Sequence, residues 1–363
     1  MSRVLVVGAG LTGSVCACLL RREMASKVHI VVWDKARGPG GRMSTSRHSD
    51  SSCQSADLGA QYITATPGYT HTHHSVYSEL LSLGLLQSFD SIIEGQKLSD
   101  GSRNYMTPRG TSSVVRHFLS ESGADLVCER HVTSLYRRGA SWEVETKLGD
   151  RERFDVVVLT MPVPQILQLQ GDVGNVLSVQ QQQQLDGVVY SSRFAVALFF
   201  PPDVVFSFSW SARYVDGSII RYVAADSRKR NADVPGLGPS LVVHTSVSFG
   251  LENLEKDKEE VQALILEELY KLLPELPQPV GVKCQKWRYS QVSCQVTSRR
   301  SLGLDGHRCC LLQVLTSVPD CPGHMTILDR PLLVCAGDAF SHSNFDGCVA
   351  SARSVVAALK AAL

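Results

Sequence analysis

The chain opens with a β-branched run and three closely spaced glycines, and this feature most constrains what it can fold into. Val4–Val7 predicts a short buried parallel strand, and Gly8, Gly10 and Gly13 follow it in the spacing Gly-x-Gly-x-x-Gly. A helix predicted over Ser14–Arg22 and a second β-branched strand, Val28–Trp33, come next, and that strand ends at Asp34. A strand, a glycine turn, a helix and a strand ending in an acid predict a βαβ unit that binds a nucleotide.

Each glycine of the turn has a separate expected role. Gly8 allows the tight turn, Gly10 lets a pyrophosphate approach the helix N-terminus, and Gly13 lets the helix pack closely on the strand. The glycine spacing alone is compatible with a plain turn, but the flanking strand, helix and acid favour nucleotide binding. Asp34 would accept hydrogen bonds from ribose hydroxyls and disfavour a 2′-phosphate, so FAD or NAD is preferred to NADP.

A second glycine-rich turn bears on which dinucleotide is bound. Residues 38–43 are Gly-Pro-Gly-Gly-Arg-Met, and residues 57–62 are Asp-Leu-Gly-Ala-Gln-Tyr. A Gly-Gly-Arg turn after the ribose acid, followed by Asp-x-Gly-x-x-Tyr, resembles the FAD-dependent amine-oxidase superfamily. The side chain of Arg42 can also neutralise a pyrophosphate by bidentate contact. For Asp57, a turn-capping role and a flavin role both stay open.

Within that superfamily the chain resembles the renalase family from end to end. The motifs that carry this resemblance include Ala56–Thr64, Leu159–Pro164, Cys284–Arg288 and Ser343–Cys348. The resemblance implies FAD contacts at Thr12, Arg42, Gln61 and Tyr62, and it places Val132 beside the adenine.

Near the C-terminus, a predicted strand ends in Gly337-Asp338, and a helix is expected from Cys348 to Leu363. In the superfamily such an acid binds the ribityl chain, and the N-terminus of the next helix stabilises negative charge on the flavin. The resemblance therefore implies that backbone N–H groups of the intervening loop face the ring. The expected cofactor-binding residues are Gly8, Ala9, Gly10, Thr12, Gly13, Asp34, Lys35, Gly41, Arg42, Gln61, Tyr62, Val132, Asp338, Asn344, Phe345 and Asp346.

These motifs predict an α/β fold with a Rossmann-like FAD-binding domain of the p-hydroxybenzoate hydroxylase and amine oxidase type. A mixed, mostly antiparallel substrate domain is expected beside it. The residue pattern predicts strands over residues 127–132 and 154–160 and a helix over residues 252–273. We expect residues 1–70, 101–164 and 325–363 to form a discontinuous FAD-binding domain, and residues 71–100 and 165–324 to form the substrate domain. Residues 293–320 depart from the family pattern and are expected to be an atypical insertion.

Composition limits the partners. The 363 residues carry 36 Lys and Arg against 35 Asp and Glu, so the net charge of +1 argues against nucleic acid as a partner. No apolar run is long enough for membrane insertion. An uncleaved N-terminus and the lack of an Asn-x-Ser/Thr site favour the cytoplasm, although members of the resembled family are described as secreted. The sequence does not indicate an oligomeric state.

No residue stands out as a nucleophile, acid or base, so no catalytic residue is assigned. The resemblance implies an oxidase that converts isomeric dihydronicotinamides, namely 2- and 6-dihydro-NAD(P) and α-NAD(P)H, to β-NAD(P)⁺ while O₂ is reduced to H₂O₂. Two alternatives stay open: a catecholamine oxidase, and a secreted signalling protein with a vestigial flavin site. No cysteine is assignable as a flavin anchor, so FAD is expected to be non-covalent. The cluster His71, His73 and His74 lacks a ligand pattern, so no metal site is expected.

Overall fold

Two six-stranded sheets organise the chain, as seen in a computed structural model that describes residues 1–230, 236–293, 318, 321 and 323–363. The strands are β1 Ser2–Val7, β2 Val28–Trp33, β3 Thr45–Ser46, β4 Ala56–Asp57, β5 Ile63–Ala65, β6 Gln87–Ser88, β7 Ile93–Glu94, β8 Arg103–Met106, β9 Asp125–Val127, β10 Val132–Arg138, β11 Ser141–Thr146, β12 Arg151–Phe154, β13 Val156–Leu159, β14 Gln170–Gly171, β15 Val189–Phe199, β16 Ala212–Tyr214, β17 Ile220–Ala225, β18 Ser240–Thr245, β19 Gly281–Ser293, β20 His324–Asp329 and β21 Leu332–Ala336. The helices are α1 Leu11–Met24, α2 Pro67–Thr72, α3 His74–Ser82, α4 Ser112–Ser122, α5 Val163–Ile166, α6 Val173–Val176, α7 Val179–Asp186, α8 Asp226–Lys229, α9 Val247–Glu252, α10 Lys258–Leu272 and α11 Phe345–Ala362.

The first sheet has the strand order β20-β21-β13-β1-β2-β9, and all its pairs are parallel except β20 with β21. Its central strands are buried on both faces, which suits their runs of Val, Leu and Ile. Val7 pairs with both Trp33 and Leu159, and Leu159 pairs with Cys335. The carboxyl ends of β1, β2, β13 and β21 therefore meet at one edge, where ligands of open α/β sheets bind.

Different layers cover the two faces of this sheet. Val4 and Val6 point into a core that they share with α1, α4 and α11. Leu5 and Val7 point the other way, into a core that includes Trp142 from β11. This alternation follows from the two-residue period of a strand and gives a layered α/β arrangement.

The second sheet has the order β19-β15-β18-β17-β16-β7 and is antiparallel apart from the short pair β16 with β7. Phe194 and Val196 of β15 pack against α10 on one face. Ala195 and Ala197 lie on the opposite face, where they meet Leu58 from the first half of the chain. We call this second face, which is turned toward residues 56–62, the front face.

The α/β class and the mixed, mostly antiparallel second sheet are as predicted. The division into two domains remains a proposal. Pairing of Ile93 with Ala212 attaches part of residues 71–100 to the second sheet, which is compatible with that division. Ile166, Leu169 and Leu185 instead pack in a core of the first sheet, so we place the proposed boundary after α7 rather than at residue 164.

Several predicted elements have different bounds in the structure. The strand predicted over residues 127–132 is two strands, β9 and β10, and the one predicted over 154–160 is divided into β12 and β13. The helix predicted over 252–273 is interrupted before α10, because Asp257 accepts a hydrogen bond from the Glu259 N–H at 2.9 Å and caps a new helix. Apart from the backbone of Ser293 and Val318, the predicted insertion at 293–320 lies outside the described residues.

Candidate active site

The glycine turn after β1 is shaped by close backbone approaches. Gly8 has φ +113°, and a Cβ on Gly13 would lie 2.0 Å from the carbonyl oxygen of Gly8. A Cβ on Gly10 would meet nothing within 4 Å, so open space lies in front of this residue at the start of α1. The helix begins at Leu11 rather than at the predicted Ser14, so its first free N–H groups belong to the turn itself. This arrangement fits a pyrophosphate.

The second glycine turn lies against the first. Gly40 N–H donates to the Ala9 carbonyl at 2.9 Å. A Cβ on Gly41 would lie 3.3 Å from the Cα of Gly10. A Cβ on Gly59 would lie 2.0 Å from the Arg42 carbonyl oxygen, so the later motif packs directly on this turn. Three segments that are separate in sequence thus form one surface at the carboxyl edge of the first sheet.

Asp34 holds the turn together. Its two carboxylate oxygens accept hydrogen bonds from the N–H groups of Ala9 at 2.7 Å and Ala36 at 2.8 Å. Each oxygen keeps a further lone pair that can accept a hydrogen bond from a ribose hydroxyl. The ribose contact itself stays a prediction. Among the other predicted positions, Lys35 is exposed and Val132 is buried in the core below the sheet.

Arg42 and Asp338 form a bidentate ion pair across 296 residues of sequence, with N···O distances of 2.6 and 2.7 Å. The Ser343 hydroxyl also donates to Asp338 at 2.6 Å. Burial acts to raise the pKa of Asp338, but the charge and hydrogen bonds of Arg42 outweigh it, so the pKa lies below its usual value. The structure therefore brings two predicted cofactor residues together. Asp338 takes up the Nη1–Nη2 edge of Arg42, so the contact of Arg42 with a pyrophosphate stays a prediction.

The C-terminal helix starts earlier than expected. The sequence predicts a loop up to Cys348, whereas Phe345 and Asp346 form the first turn of α11 and Asn344 caps it by accepting from the Gly347 N–H at 2.7 Å. Asn prefers this N-cap position because its side chain satisfies a free N–H group. The side chains of Phe345 and Asp346 turn inward, so only their backbone is free to face a cofactor.

Two further groups of this region are held in the interior. The Asp346 carboxylate accepts hydrogen bonds from the Tyr77 hydroxyl at 3.0 and 3.1 Å, and its pKa is raised to about 6, chiefly by burial. Thr12 hydrogen-bonds the thiol of Cys348, whose pKa is raised to about 11 by burial. A protonated thiol is a poor nucleophile, which is compatible with non-covalent FAD.

Behind the Asp57 motif lies a buried cluster of four charged side chains that the sequence did not reveal. Arg230 bonds Asp57 at 2.7 Å and Asp226 at 2.5 Å, while Lys229 contacts Asp226 closely and lies 3.5 Å from Asp57. Burial acts to raise the pKa of Asp57, but Lys229 and Arg230 lower it below its usual value. Asp57 thus joins a neutral ionic cluster rather than merely capping a turn. Acid–base spacings of three and four residues in 226–230 were the available signal, but such pairs are usually exposed.

Gln61 connects this cluster to the front face. Lys229 Nζ donates to Gln61 Oε1 at 3.2 Å, and Gln61 Nε2 donates to the Gly59 carbonyl at 3.0 Å. The same amide nitrogen lies 3.3 Å from His244 Nε2. Gln61 Nε2 also donates to the Asp57 carbonyl at 2.5 Å, so its two N–H groups face three acceptors. An amide nitrogen can only donate, so the contact favours His244 Nε2 as an acceptor and the imidazole proton on Nδ1.

The front face carries a row of polar and aromatic side chains from different strands. Strand register pairs Arg193 with Trp287, Ala195 with His244, His244 with Tyr222, and Tyr222 with Tyr214. The sequence did not single out most of these residues, because each is one alternating position in its strand. The available signal was a polar residue inside an apolar run, as in Val242-Val-His-Thr245.

This row meets the predicted cofactor residues. The hydroxyls of Tyr62 and Tyr214 lie 2.5 Å apart, and Trp287 Nε1 donates to the Leu58 carbonyl at 2.8 Å. Burial, followed by the charges of Arg193 and Lys229, lowers the pKa of His244 to about 3. The imidazole is therefore neutral at physiological pH and acts as a fixed hydrogen-bonding group.

Comparison with known proteins agrees with this arrangement. A family model for an NAD(P)-binding Rossmann-like domain matches residues 6–80, and one for flavin containing amine oxidoreductases matches residues 78–360. Renalase of Mus musculus is 45% identical over 361 residues, which is 99% of each chain. The chain belongs to the renalase family. Its cofactor is FAD, and it is a FAD-dependent oxidoreductase.

Solved structures share this renalase-family fold at low identity. A candidate protoporphyrinogen oxidase from Exiguobacterium sp. 255-15 has a TM-score of 0.71 at 13% identity, covering 100% of this chain and 99% of that one. Putrescine oxidase has a TM-score of 0.67 at 14% identity, with 99% of each chain covered. The matches extend over both sheets, so the two-sheet architecture is that of flavin oxidases.

The described residues lack two other kinds of feature. None of the helices in this part of the chain is long and apolar enough to cross a membrane. Within the same ranges no three His, Cys, Asp or Glu side chains are grouped as metal ligands would be. Of the predicted histidine cluster, His73 is buried, whereas His71 and His74 are exposed.

Proposed function

We propose that this renalase-family chain oxidises isomeric dihydronicotinamides, the 2- and 6-dihydro forms of NAD(P) and α-NAD(P)H, to β-NAD(P)⁺, with O₂ reduced to H₂O₂. Bound FAD supplies the hydride acceptor and passes the electrons on to O₂. We also propose that the cofactor is held non-covalently by the predicted residues, with the Gly8–Gly13 turn receiving the pyrophosphate and the start of α11 facing the ring.

The observation that carries the proposal is the protonation chemistry of the front face. His244 is neutral, and the nearest described acids, Asp57 and Asp226, are fully buried in ion pairs. Among the residues that the structure describes, the face thus offers hydrogen bonds and shape but no free base. Oxidation of a dihydropyridine fits such a site, because the ring nitrogen drives hydride loss and no proton has to be removed.

The side chains of this face have positioning roles in the proposed reaction. Lys229 orients the Gln61 amide, and Gln61 favours the His244 tautomer in which Nδ1–H is a donor for a carbonyl oxygen such as that of a carboxamide. Apolar and aromatic walls from Tyr222 and Trp287 limit water around a flat ring. These groups orient the substrate and leave the hydride chemistry to the cofactor.

Oxidation of an amine is the second candidate. The tyrosines Tyr62, Tyr214 and Tyr222 favour it, because aromatic rings can surround an amine. However, Tyr62 and Tyr214 meet through their hydroxyls, and Arg193, which has no acidic partner among the described residues, makes this region positive. A positive site repels the protonated amines that predominate at neutral pH. We therefore place this candidate second.

A spectroscopic experiment tests the proposal. The purified holoprotein is mixed anaerobically with 6-dihydro-NAD, with ordinary NADH, or with a catecholamine, and flavin absorbance is followed in a single turnover. We expect bleaching by 6-dihydro-NAD alone, H₂O₂ on admission of air, and no ionisation of His244 in the rate profile between pH 5 and 8. Bleaching by the amine but not by 6-dihydro-NAD would contradict the proposal.

We also propose that the enzyme is cytoplasmic, in keeping with the expectation from the sequence.

The signalling alternative needs a different test. The variant Arg42→Ala removes the partner of Asp338 and is expected to lose oxidase turnover. If it retained an extracellular signalling effect, the flavin site would be irrelevant to that effect and the alternative would gain support.

A further inference from the structure

Arg193 differs from the other arginines of the second sheet, Arg213, Arg221 and Arg288, in lacking an acidic partner among the described residues. Its Nη1 donates to the Thr245 carbonyl at 3.2 Å, and no carboxylate of the described ranges lies within ion-pair distance of it. By contrast, Arg213 pairs with Glu94 at 2.5 Å and Arg221 pairs with Asp216 at 3.0 Å. Burying a charge without a counter-ion costs free energy, so a half-buried guanidinium with one neutral acceptor has unused binding capacity.

The position of Arg193 connects this capacity to the active site. Phe194 points into the core behind the sheet, so alternation turns Arg193 to the front face, next to His244. Burial and the charge of Arg221 lower the pKa of Arg193, while the charge of Arg193 helps to lower that of His244. The charge contributions to these two shifts, which come second to burial, indicate positive charge near His244 and Arg193, which suits an anion.

We propose that Arg193 binds the phosphate next to the nicotinamide riboside of the substrate, while His244 binds the ring. This inference rests on the proposed function, since it concerns the same substrate. The planar fork of arginine matches two phosphate oxygens. Arg193 lies two strand positions from Ala195, the cross-strand partner of His244, which is about 7 Å along the strand. A ribose unit joins a nicotinamide ring to its phosphate over a distance of this order.

This phosphate site is separate from the predicted FAD pyrophosphate site. The FAD pyrophosphate is expected at Gly10 and the start of α1, on the first sheet. Arg193 lies on β15 of the second sheet, beyond Gln61 and His244. Loss of Arg193 should therefore weaken substrate binding and leave the bound FAD in place.

The test compares Arg193→Gln with wild type, using 6-dihydronicotinamide riboside and the corresponding mononucleotide. We expect kcat/KM for the mononucleotide to fall about 10- to 100-fold, mainly through KM, because one charge-assisted contact is lost. The rate with the riboside, which has no phosphate, should stay within about twofold. Arg193→Lys should give an intermediate loss, because it keeps the charge without the fork.

The matched control is Arg213→Gln, since Arg213 is an arginine on the opposite face of the same sheet that is already paired with Glu94. It should leave both substrates unaffected. Equal losses with riboside and mononucleotide, or no loss with either, would overturn the inference.

A binding measurement separates this inference from the proposed function. Oxidised nicotinamide mononucleotide is titrated against the flavin absorbance of the holoprotein, and FAD content and melting temperature are checked in each variant. A 10- to 100-fold rise in Kd in Arg193→Gln supports the phosphate site even if wild type fails to oxidise dihydronicotinamides. An unchanged Kd overturns it even if that oxidation is observed.

Discussion

The carboxyl edge of the first sheet and the front face of the second sheet differ in how they are built. The edge depends on backbone: glycines at Gly8, Gly10 and Gly13 bring main-chain atoms close together and leave open space at one point. The front face depends on side chains, which come from strands far apart in sequence and meet through register. The first construction is local and appears as a motif, whereas the second is non-local and does not.

This difference has a functional meaning. A backbone site binds the part of a cofactor that is shared by many enzymes, because main-chain N–H groups recognise phosphate whatever chemistry follows. Side chains on a rigid sheet can change without loss of the fold, so the substrate is expected to be selected there. Glycine substitutions at the edge should therefore act by crowding main-chain atoms. Substitutions near the front face should act through charge and hydrogen bonding.

The largest effect is expected from a pair of glycine substitutions at the edge. In Gly13→Ala the new methyl group would lie 2.0 Å from the Gly8 carbonyl oxygen, so α1 cannot pack on β1 and we expect little folded, FAD-containing protein. In Gly10→Ala the methyl group meets nothing within 4 Å, so the apoprotein should stay within about 1 kcal/mol of wild type.

FAD binding should nevertheless fall in Gly10→Ala, because the methyl group occupies the space in front of the helix N-terminus. Urea unfolding of the apoproteins and fluorescence titration with FAD measure the two effects separately. If Gly10→Ala bound FAD as tightly as wild type, this open space could not be the pyrophosphate site.

A second prediction concerns the buried cluster that joins the two regions. Lys229→Met leaves two buried carboxylates facing Arg230 alone, and we expect a loss of about 3–5 kcal/mol in the free energy of unfolding of the holoprotein. The double variant Lys229→Met with Asp226→Asn restores neutrality and should recover part of that loss. Urea denaturation at pH 7 gives both values.

Lys271→Met is the control, because Lys271 is exposed and pairs with Glu267 at 2.8 Å on the surface of α10. Its effect should stay below about 1 kcal/mol. Similar losses in the two lysine variants would mean that the cluster is no more important than a surface pair.

The same contrast explains what could be predicted from the sequence. The turn, Asp34 and the strand over residues 28–33 were all expressed in contiguous residues, and Val28–Trp33 has the predicted bounds. The mostly antiparallel character of the second sheet was also predictable, because the alternation of polar and apolar residues shows within each strand separately. The resemblance brought in Arg42 and Asp338, but not their direct ion pair, which joins residues 296 positions apart.

The front face could not be predicted, because its composition depends on which strands are neighbours. His244 is one polar residue in an apolar strand until it is known that Gln61 and Tyr222 lie beside it. Lys229 likewise looks like a surface residue, since acid–base pairs spaced along a helix are usually solvated. A single sequence contains the alternation of each strand but not the register between strands.

The smallest effect is expected at the carboxyl edge of the first sheet. The substitution there tests whether side-chain charge, as well as backbone geometry, matters at this edge. Burial raises the pKa of Asp346 to about 6, so the folded protein holds this proton more tightly than the unfolded chain. The stabilisation by the proton is complete below pH 4 and is lost as the pH rises through 6. Asp346→Asn, which keeps an acceptor for Tyr77, should therefore stabilise the protein at pH 8 by roughly 1–2 kcal/mol, after allowing for a lost charge at the helix N-terminus.

At pH 4 the same variant should differ little from wild type, because the native carboxyl is then protonated as well. Urea unfolding at pH 4, 6 and 8 gives the dependence, and Asp216→Asn, which changes an exposed acid on the second sheet, should show no comparable trend. A gain that is equal at all three pH values would mean that Asp346 acts through packing rather than charge. The edge would then be a purely geometric site, and its contrast with the front face would be complete.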